Sequence, residues 1–360
     1  MADNVTFIDS KKLKNFIKEV FQRLGTPSED AEICADVLIR SDLTGIESHG
    51  VQRLKMYYDR IRKGIQSPVT EMTVIQDSQS VARLDAGHGM GHVAAYRGMQ
   101  LAIEKAKKYG TGAVAVGNST HFGIAGYYSM MAVKEGMVGI TMTNARPSIA
   151  PTFGTEPMMG TNPFTIGIPT DEEFPFLFDA ATSITQRGKI EVLARTNTPI
   201  PRGWVINGEG IMSTNSNEIL QDLLKGTAAL LPLGGEGETL GGHKGYGYAA
   251  TVEILTAALS DGPFLTDLTL EKGYKLGHFF LAINIENFLP LRTFKIIAGS
   301  ILRRLRDSRR APGHDRIYTA GEKGYEIEIR RKKNGIPVNA SILEDLKTMR
   351  QELNIESYSF

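Results

Sequence analysis

Between residues 92 and 180 the chain alternates helix-like and strand-like segments, and this limits the fold more than any other feature. Residues 92–109 carry Ala95, Met99, Ala102, Ile103 and Ala106 on one side at helical spacing. The short apolar run 111–117 (TGAVAVG) predicts a strand, 127–135 a helix, and 137–144, 164–169 and 176–180 further strands. A hairpin over 72–85, turning at Asp77-Ser78-Gln79-Ser80, precedes them. Short apolar strands separated by helices predict an α/β sheet with helices packed on its faces.

The flanks read differently. Residues 9–64 predict three helices. The second opens with Thr26-Pro27-Ser28-Glu29, a capping box with proline at the first helical position, and the third spans 50–64. After a loop-rich stretch over 185–244 come a helix over 245–260, a strand over 279–285 and a basic helix over 291–309. The last helix is capped by Ser341-Ile342-Leu343-Glu344. The expected division is a mainly helical domain, 1–70 with 290–360, and an α/β domain, 71–289.

Charge and composition exclude several functions. Lysine plus arginine total 41 and aspartate plus glutamate 40, a net charge of +1. That balance argues against a nucleic-acid binder, whose duplex affinity comes from displacing counterions. The run Arg303-Arg304-Leu305-Arg306 reads as a solvated helix face instead, and 298–305 keep an apolar side, so this helix is expected to pack. No apolar run reaches membrane-spanning length, and MADNVTFIDSKKLKNF has no signal core. One cysteine, Cys34, permits no intramolecular disulfide. A cytoplasmic protein is expected. The seven histidines show no metal-ligand spacing, so no metal is expected.

Gly87-His88-Gly89-Met90-Gly91-His92 comes nearest to a dinucleotide fingerprint, but a histidine replaces the last glycine; it reads as a turn feeding the next helix. Gly241-Gly242-His243-Lys244-Gly245-Tyr246-Gly247-Tyr248 runs into a helix, and free N–H groups beside a lysine make either an anion site or a plain glycine-rich cap. In Ser48-His49-Gly50-Val51-Gln52-Arg53, a helix starting near Ser48 would put His49 and Arg53 four apart on one face. A titratable imidazole beside a forked guanidinium suits reduction of a 2-keto acid; a surface salt bridge is the plainer alternative. Thr120-His121-Phe122-Gly123 follows a strand, where ligands sit or a helix is capped. Phe178-Asp179-Ala180-Ala181-Thr182-Ser183 also ends a strand, and Asp179 could orient His49 and raise its pKa, or serve as an N-cap.

In this order the motifs resemble the malate/L-lactate dehydrogenase type-2 family, also called L-sulfolactate dehydrogenase-like. The likeness extends over about 8–345. It includes Ser48-His49-Gly50 with Arg53, Asn118-Ser119-Thr120-His121-Phe122-Gly123, Gly160-Thr161-Asn162-Pro163 and Asp179-Ala180-Ala181-Thr182-Ser183. Arg187-Gly188-Lys189, Leu231-Pro232-Leu233-Gly234-Gly235, Gly242-His243-Lys244-Gly245-Tyr246-Gly247 and Gly277-His278-Phe279-Phe280 complete it. The resemblance implies a non-Rossmann α/β fold and a homodimer holding NAD or NADP near the subunit interface. It implies His49 as proton donor or acceptor, with Ser48 and Asp179 as its relay, and His121 as a catalytic base or cofactor contact. Arg53 would clamp the substrate carboxylate, and Thr161 would touch substrate or nicotinamide. His121, Phe122, Gly123, Asn144, Asp179, Ala180, Ala181, His243, Lys244, Ala320, Gly321 and Glu322 would line the dinucleotide site. Two departures, Ala320 for the usual proline and Ala180 for methionine, bear on that list.

The expected reaction is reversible hydride transfer between nicotinamide and C2 of a small 2-hydroxy acid, with malate and oxaloacetate foremost. Lactate, sulfolactate, ureidoglycolate, diketogulonate or a cyclic imine carboxylate are alternatives, and a non-catalytic dinucleotide-binding protein lies outside the class. A second substrate carboxylate needs another basic group, with Arg187, Lys189 and His121 as the candidates.

Overall fold

The computed structural model describes residues 5–271 and 273–358. The chain opens with β1 (Val5–Ile8), α1 (Ser10–Arg23), α2 (Ser28–Leu43) and α3 (Leu54–Arg62). It continues with β2 (Thr73–Asp77), β3 (Val81–Asp85), α4 (Gly91–Tyr109), β4 (Thr111–Ser119), α5 (Gly126–Lys134), β5 (Met137–Thr143), β6 (Phe164–Ile168) and β7 (Phe176–Ala180). A small lobe follows: α6 (Arg187–Arg195), β8 (Val205–Asn207), α7 (Ser216–Lys225) and β9 (Ala228–Leu230). The chain ends with α8 (Gly242–Glu253), β10 (Leu276–Asn284), α9 (Leu291–Arg306), α10 (Glu322–Asn334), β11 (Ile336–Asn339) and α11 (Ala340–Glu352).

Among the described residues the main sheet has seven strands in the order β2-β3-β4-β10-β5-β6-β7. Only β3 and β4 pair in parallel; every other neighbouring pair is antiparallel. A mixed α/β fold is therefore present. The late strand β10 is inserted between β4 and β5, which breaks the parallel order a Rossmann sheet requires. Side chains alternate across the sheet. Val114, Val116, Phe280 and Ala282 are buried under α4 and α5 in one apolar cluster. On the opposite face Gly117 and Gly277 lie against Ser260 and Thr256, where a π-helical turn, Ile254–Ala258, extends α8.

A second core joins the ends of the chain. Phe16, Ile17 and Phe21 of α1, Leu38 of α2 and Leu54 and Tyr57 from α3 pack with Ile336 and Val338 of β11 and Leu346 and Met349 of α11. Strand β1 pairs antiparallel with β11. Helix α9 does not join this core. Only its Gly299 and Leu302 are buried, while Arg303 and Arg306 bind Asp171 and Glu172 in the β6–β7 turn. Ile296, Ile297, Ile301 and Leu305 remain 46–54% exposed, so the packing expected of this helix is largely not made within the chain.

Local details differ from the sequence reading. The Thr26–Glu29 capping box is not formed: α2 starts at Ser28 behind Pro27, whose carbonyl accepts from Ala31. The cap of α11 is Asn339, which accepts from the Ile342 N–H, rather than Ser341. The stretch 185–244 is not a loop but a lobe built on Ile190, Ile200, Val205, Ile219 and Leu230. No helix among the described residues is long and apolar enough to cross a membrane.

Candidate active site

The segment between α2 and α3 is not the continuous helix expected from Gly50 onward. It forms two 3₁₀ turns, Glu47–His49 and Val51–Arg53, broken at Gly50. Asp42, 1% exposed, causes the break. Its Oδ2 accepts the Val51 N–H at 2.8 Å, and a Cβ on Gly50 would lie 1.8 Å from Oδ1. Glycine at position 50 is what lets the carboxyl reach under the turn. Burial pushes the Asp42 pKa up to about 7. Outside the turn, Arg331 donates to the Asp42 carbonyl and pairs with Glu47.

This turn holds the proposed acid–base pair in an unexpected way. The Ser48 hydroxyl bonds His49 Nδ1 at 2.9 Å, and Arg53 Nε donates to the Ser48 carbonyl at 2.6 Å. The His49 ring stacks on His121 with centroids 5.5 Å apart. His121 Nδ1 accepts from the Gly123 N–H at 3.4 Å and meets the Tyr57 hydroxyl at 2.6 Å. Accepting from an N–H fixes the tautomer, with the His121 proton on Nε2. Burial, then the Arg53 charge, push the His49 pKa down to about 4. Burial, then His49 and Arg53, hold His121 well below the ordinary value. Both imidazoles are neutral at neutral pH.

Asp179 is not their relay. Its Oδ1 accepts from the Thr165 hydroxyl at 2.9 Å and its Oδ2 from the Gly126 N–H at 2.8 Å. It therefore caps the start of α5, and burial raises its pKa. Burial and the Arg53 charge depress the His49 value, against the expected rise, and Asp179, bonded to Thr165 and Gly126, does not counter them.

Several other expected contacts serve the scaffold. Asn144 is fully buried; Oδ1 accepts from the Gly277 N–H at 2.9 Å and Nδ2 faces Glu253 and the Pro263 carbonyl. Its side chain is not free for a cofactor. Glu322, 3% exposed, accepts from the Thr319 N–H at 3.0 Å and pairs with Arg316. The Ala320 carbonyl accepts from the Leu177 N–H. The segment Ala320-Gly321-Glu322 thus opens α10 against β7, and its carboxylate is taken. The Gly87–His92 amides are also occupied: Gly87 by Asp85, Met90 by Thr70 and Gly91 by Thr120.

Thr161 is tied down from both sides. Its carbonyl accepts from the Thr182 N–H at 2.9 Å. The next residue, Asn162, accepts from the Ala145 N–H and donates to Glu253 Oε2 at 2.7 Å. Phe122 stacks at 4.6 Å on His278, whose ring nitrogens meet Thr143 and Ser119 at 2.8 Å each. Among these groups, Asp42, Tyr57 and His278 were not singled out as site residues from sequence. Tyr57, four residues after Arg53, which caps the start of α3, was within reach of spacing alone.

A dinucleotide needs phosphate and ribose partners, and the β7–α8 region fits one. Ala180 and Ala181 lead into Thr182, Ser183 and Thr185, and the Ser183 and Thr185 hydroxyls are buried without a partner. The Leu233 N–H donates to the Thr182 carbonyl. Leu233 in turn lies on Gly245: a Cβ there would be 2.1 Å from the Leu233 carbonyl. His243 and Lys244 sit exposed in the first turn of α8. The two glycine-rich motifs are thus one structural unit bordering the unpartnered hydroxyls. Among the described residues no group of three His, Cys, Asp or Glu side chains is placed to hold a metal.

Comparison with known proteins identifies the family. The profile of the malate/L-lactate dehydrogenase family matches residues 8–347. A malate dehydrogenase of Pyrococcus horikoshii is 45% identical over 98% of this chain and 97% of its own. A malate/(S)-sulfolactate dehydrogenase of Methanothermus fervidus is 35% identical over 97% of this chain and 98% of its own. The crystal structure of malate dehydrogenase from Entamoeba histolytica superposes with a TM-score of 0.96 at 44% identity, covering 99% of this chain and 100% of that one. Sequence and fold agree: the chain belongs to the malate/L-lactate dehydrogenase family.

Proposed function

We propose that this dehydrogenase interconverts malate and oxaloacetate with NAD or NADP, in the cytoplasm and as a homodimer. The observation that carries the reading is the pair of stacked neutral imidazoles, His49 and His121, beside a guanidinium with no carboxylate partner among the described residues. Arg53 anchors the C1 carboxylate, the role for which a planar fork is suited. His49, neutral with Ser48 on Nδ1, takes the hydroxyl proton of the alcohol at Nε2 and returns it in the reverse direction. Burial and, after it, the Arg53 charge depress His49; the anionic substrate offsets the second of these, so imidazolium is more accessible when keto acid is bound. His121 holds the substrate oxygen through its Nε2–H, oriented by Tyr57. Ser48 borders this position through its bond to His49, and Thr161 would touch substrate or nicotinamide. When bound, the nicotinamide supplies or accepts the hydride. Lys244, His243, Ser183 and Thr185 would hold its dinucleotide, with Ala180, Ala181, Phe122 and Gly123 shaping the walls.

The homodimer is supported by the exposed apolar face of α9 and by Phe153 and Leu240, 81% and 77% exposed. The cytoplasmic location rests on the single cysteine, Cys34, which is buried. The test is absorbance at 340 nm with malate, lactate and sulfolactate, each with both cofactors. The expected result is fastest oxidation of malate; faster turnover of either other acid would overturn the substrate assignment.

A further inference from the structure

Arg53, Tyr57 and Arg60 occupy positions i, i+4 and i+7 along α3 and its first turn, and so share one face. Tyr57 reaches His121 from that face. Helical side chains lean toward the N-terminus, so Arg60 tilts back over Tyr57 toward Arg53. Its guanidinium also lies 5.7 Å over the Tyr274 ring. Arg146 follows Ala145, whose N–H is bonded to Asn162, the neighbour of Thr161. Arg53, Arg60 and Arg146 make no ion pair among the described residues. Burial and the charges of Arg53 and Arg146 lower the pKa of Arg60.

Arg53 and Arg60 are partly buried, and like charges withdrawn from water without a counterion are unfavourable unless a ligand supplies one, while Arg146 stands exposed at the rim. One carboxylate at C1 answers Arg53 and leaves Arg60 and Arg146 unanswered. The other basic groups suggested by the sequence are less suited: Arg187 already pairs with Glu191 at 2.8 Å on α6, Lys189 is exposed to solvent on the same helix, and His121 is neutral and bound to Tyr57.

We infer that Arg60, assisted by Arg146, recognises a second anionic group, a carboxylate or sulfonate on C3 of the 2-hydroxy acid. This rests on the malate reading above and assigns its selectivity to named residues. Substrates with two anions satisfy the whole cluster, whereas lactate or pyruvate leaves two cations unpaired. Recognition of this kind discriminates strongly, because a site built for a polar group is left unsatisfied by an analogue lacking it.

The test compares kcat/KM for oxaloacetate, sulfopyruvate and pyruvate in the parent, Arg60→Met and Arg146→Gln, with thermal melting of each. Arg60→Met should lower the value for oxaloacetate and sulfopyruvate about 100-fold and that for pyruvate less than about 3-fold. Arg146→Gln, on an exposed loop, should shift the ratio the same way by a smaller factor, and decides the matter should Arg60→Met melt early. Loss on only one of the two dianions identifies the anion recognised. Equal losses on all three substrates, or an unchanged ratio in both variants, would overturn the assignment. A parent enzyme that reduces pyruvate but neither dianion would instead remove the malate reading on which it stands.

Discussion

Helices α3 and α9 both carry arginines, and their surroundings could hardly differ more. On α9, Arg306 grips both oxygens of Glu172 at 2.6 Å, and Arg303 binds Asp171 and Glu172 at 3.0 Å. Those cations fasten a helix to a turn of the sheet. On the α3 face, among the described residues, Arg53 bonds a backbone carbonyl and Arg60 faces a ring, and neither has a carboxylate partner. Those cations lie near the His121 imidazole, and on the reading proposed above they take up the substrate's anions. The lesson is that the number of charges says little, and that the missing partner marks the site.

The contrast can be tested at four places. The largest effect is expected at His49, inside the unpaired cluster. His49→Gln should lower kcat about 10²–10⁴-fold while calorimetry shows dinucleotide binding retained; turnover near the parent's would take His49 out of the chemistry. Arg53→Lys keeps the charge but loses the fork, and kcat/KM for oxaloacetate should fall about 10–100-fold. Ordinary kinetics in that variant would mean the C1 carboxylate is held elsewhere.

Asp42 links the cluster to the scaffold through a titration. Its folded pKa, about 7, lies above the unfolded value near 3.8. A raised value means the folded chain holds a proton the unfolded chain has released. The stabilisation is complete below about pH 4 and disappears as pH climbs through 7. Asp42→Asn is permanently neutral, so its melting temperature should gain on the parent's steadily from pH 4 to pH 7. A difference that stays constant with pH would show that the carboxyl is ionised throughout. The smallest effect belongs to the paired side. Arg303 is 42% exposed in its side chain, so Arg303→Ala should barely move the melting temperature and leave kcat/KM unchanged; a large kinetic loss would erase the distinction between the two helices.

Much of the fold was legible because its elements are locally determined. The apolar spacing of Ala95, Met99, Ala102, Ile103 and Ala106 specified α4, and all of these side chains are buried. The hairpin of β2 and β3 and the runs that became β4 to β7 followed from short-range patterning in the same way. What escaped was long-range or weakly patterned. Strand β11 pairs with β1 across nearly the whole chain, α10 carries few apolar residues, and β8 and β9 are three-residue strands within a polar stretch.

The site divides along the same line. Sequence could name His49, Arg53 and His121 as candidates, from residue type and spacing together with the family resemblance, while leaving a surface salt bridge and a helix cap as the plainer alternatives. Their partners were decided by the tertiary structure. Asp179 turned to Gly126, Asn144 to Gly277, Glu322 to Thr319 and Arg316, and Tyr57 to His121. A hydrogen bond depends on where two distant segments meet to within a few tenths of an ångström. Periodicity fixes which face a side chain occupies, but only the packed chain determines what stands opposite it.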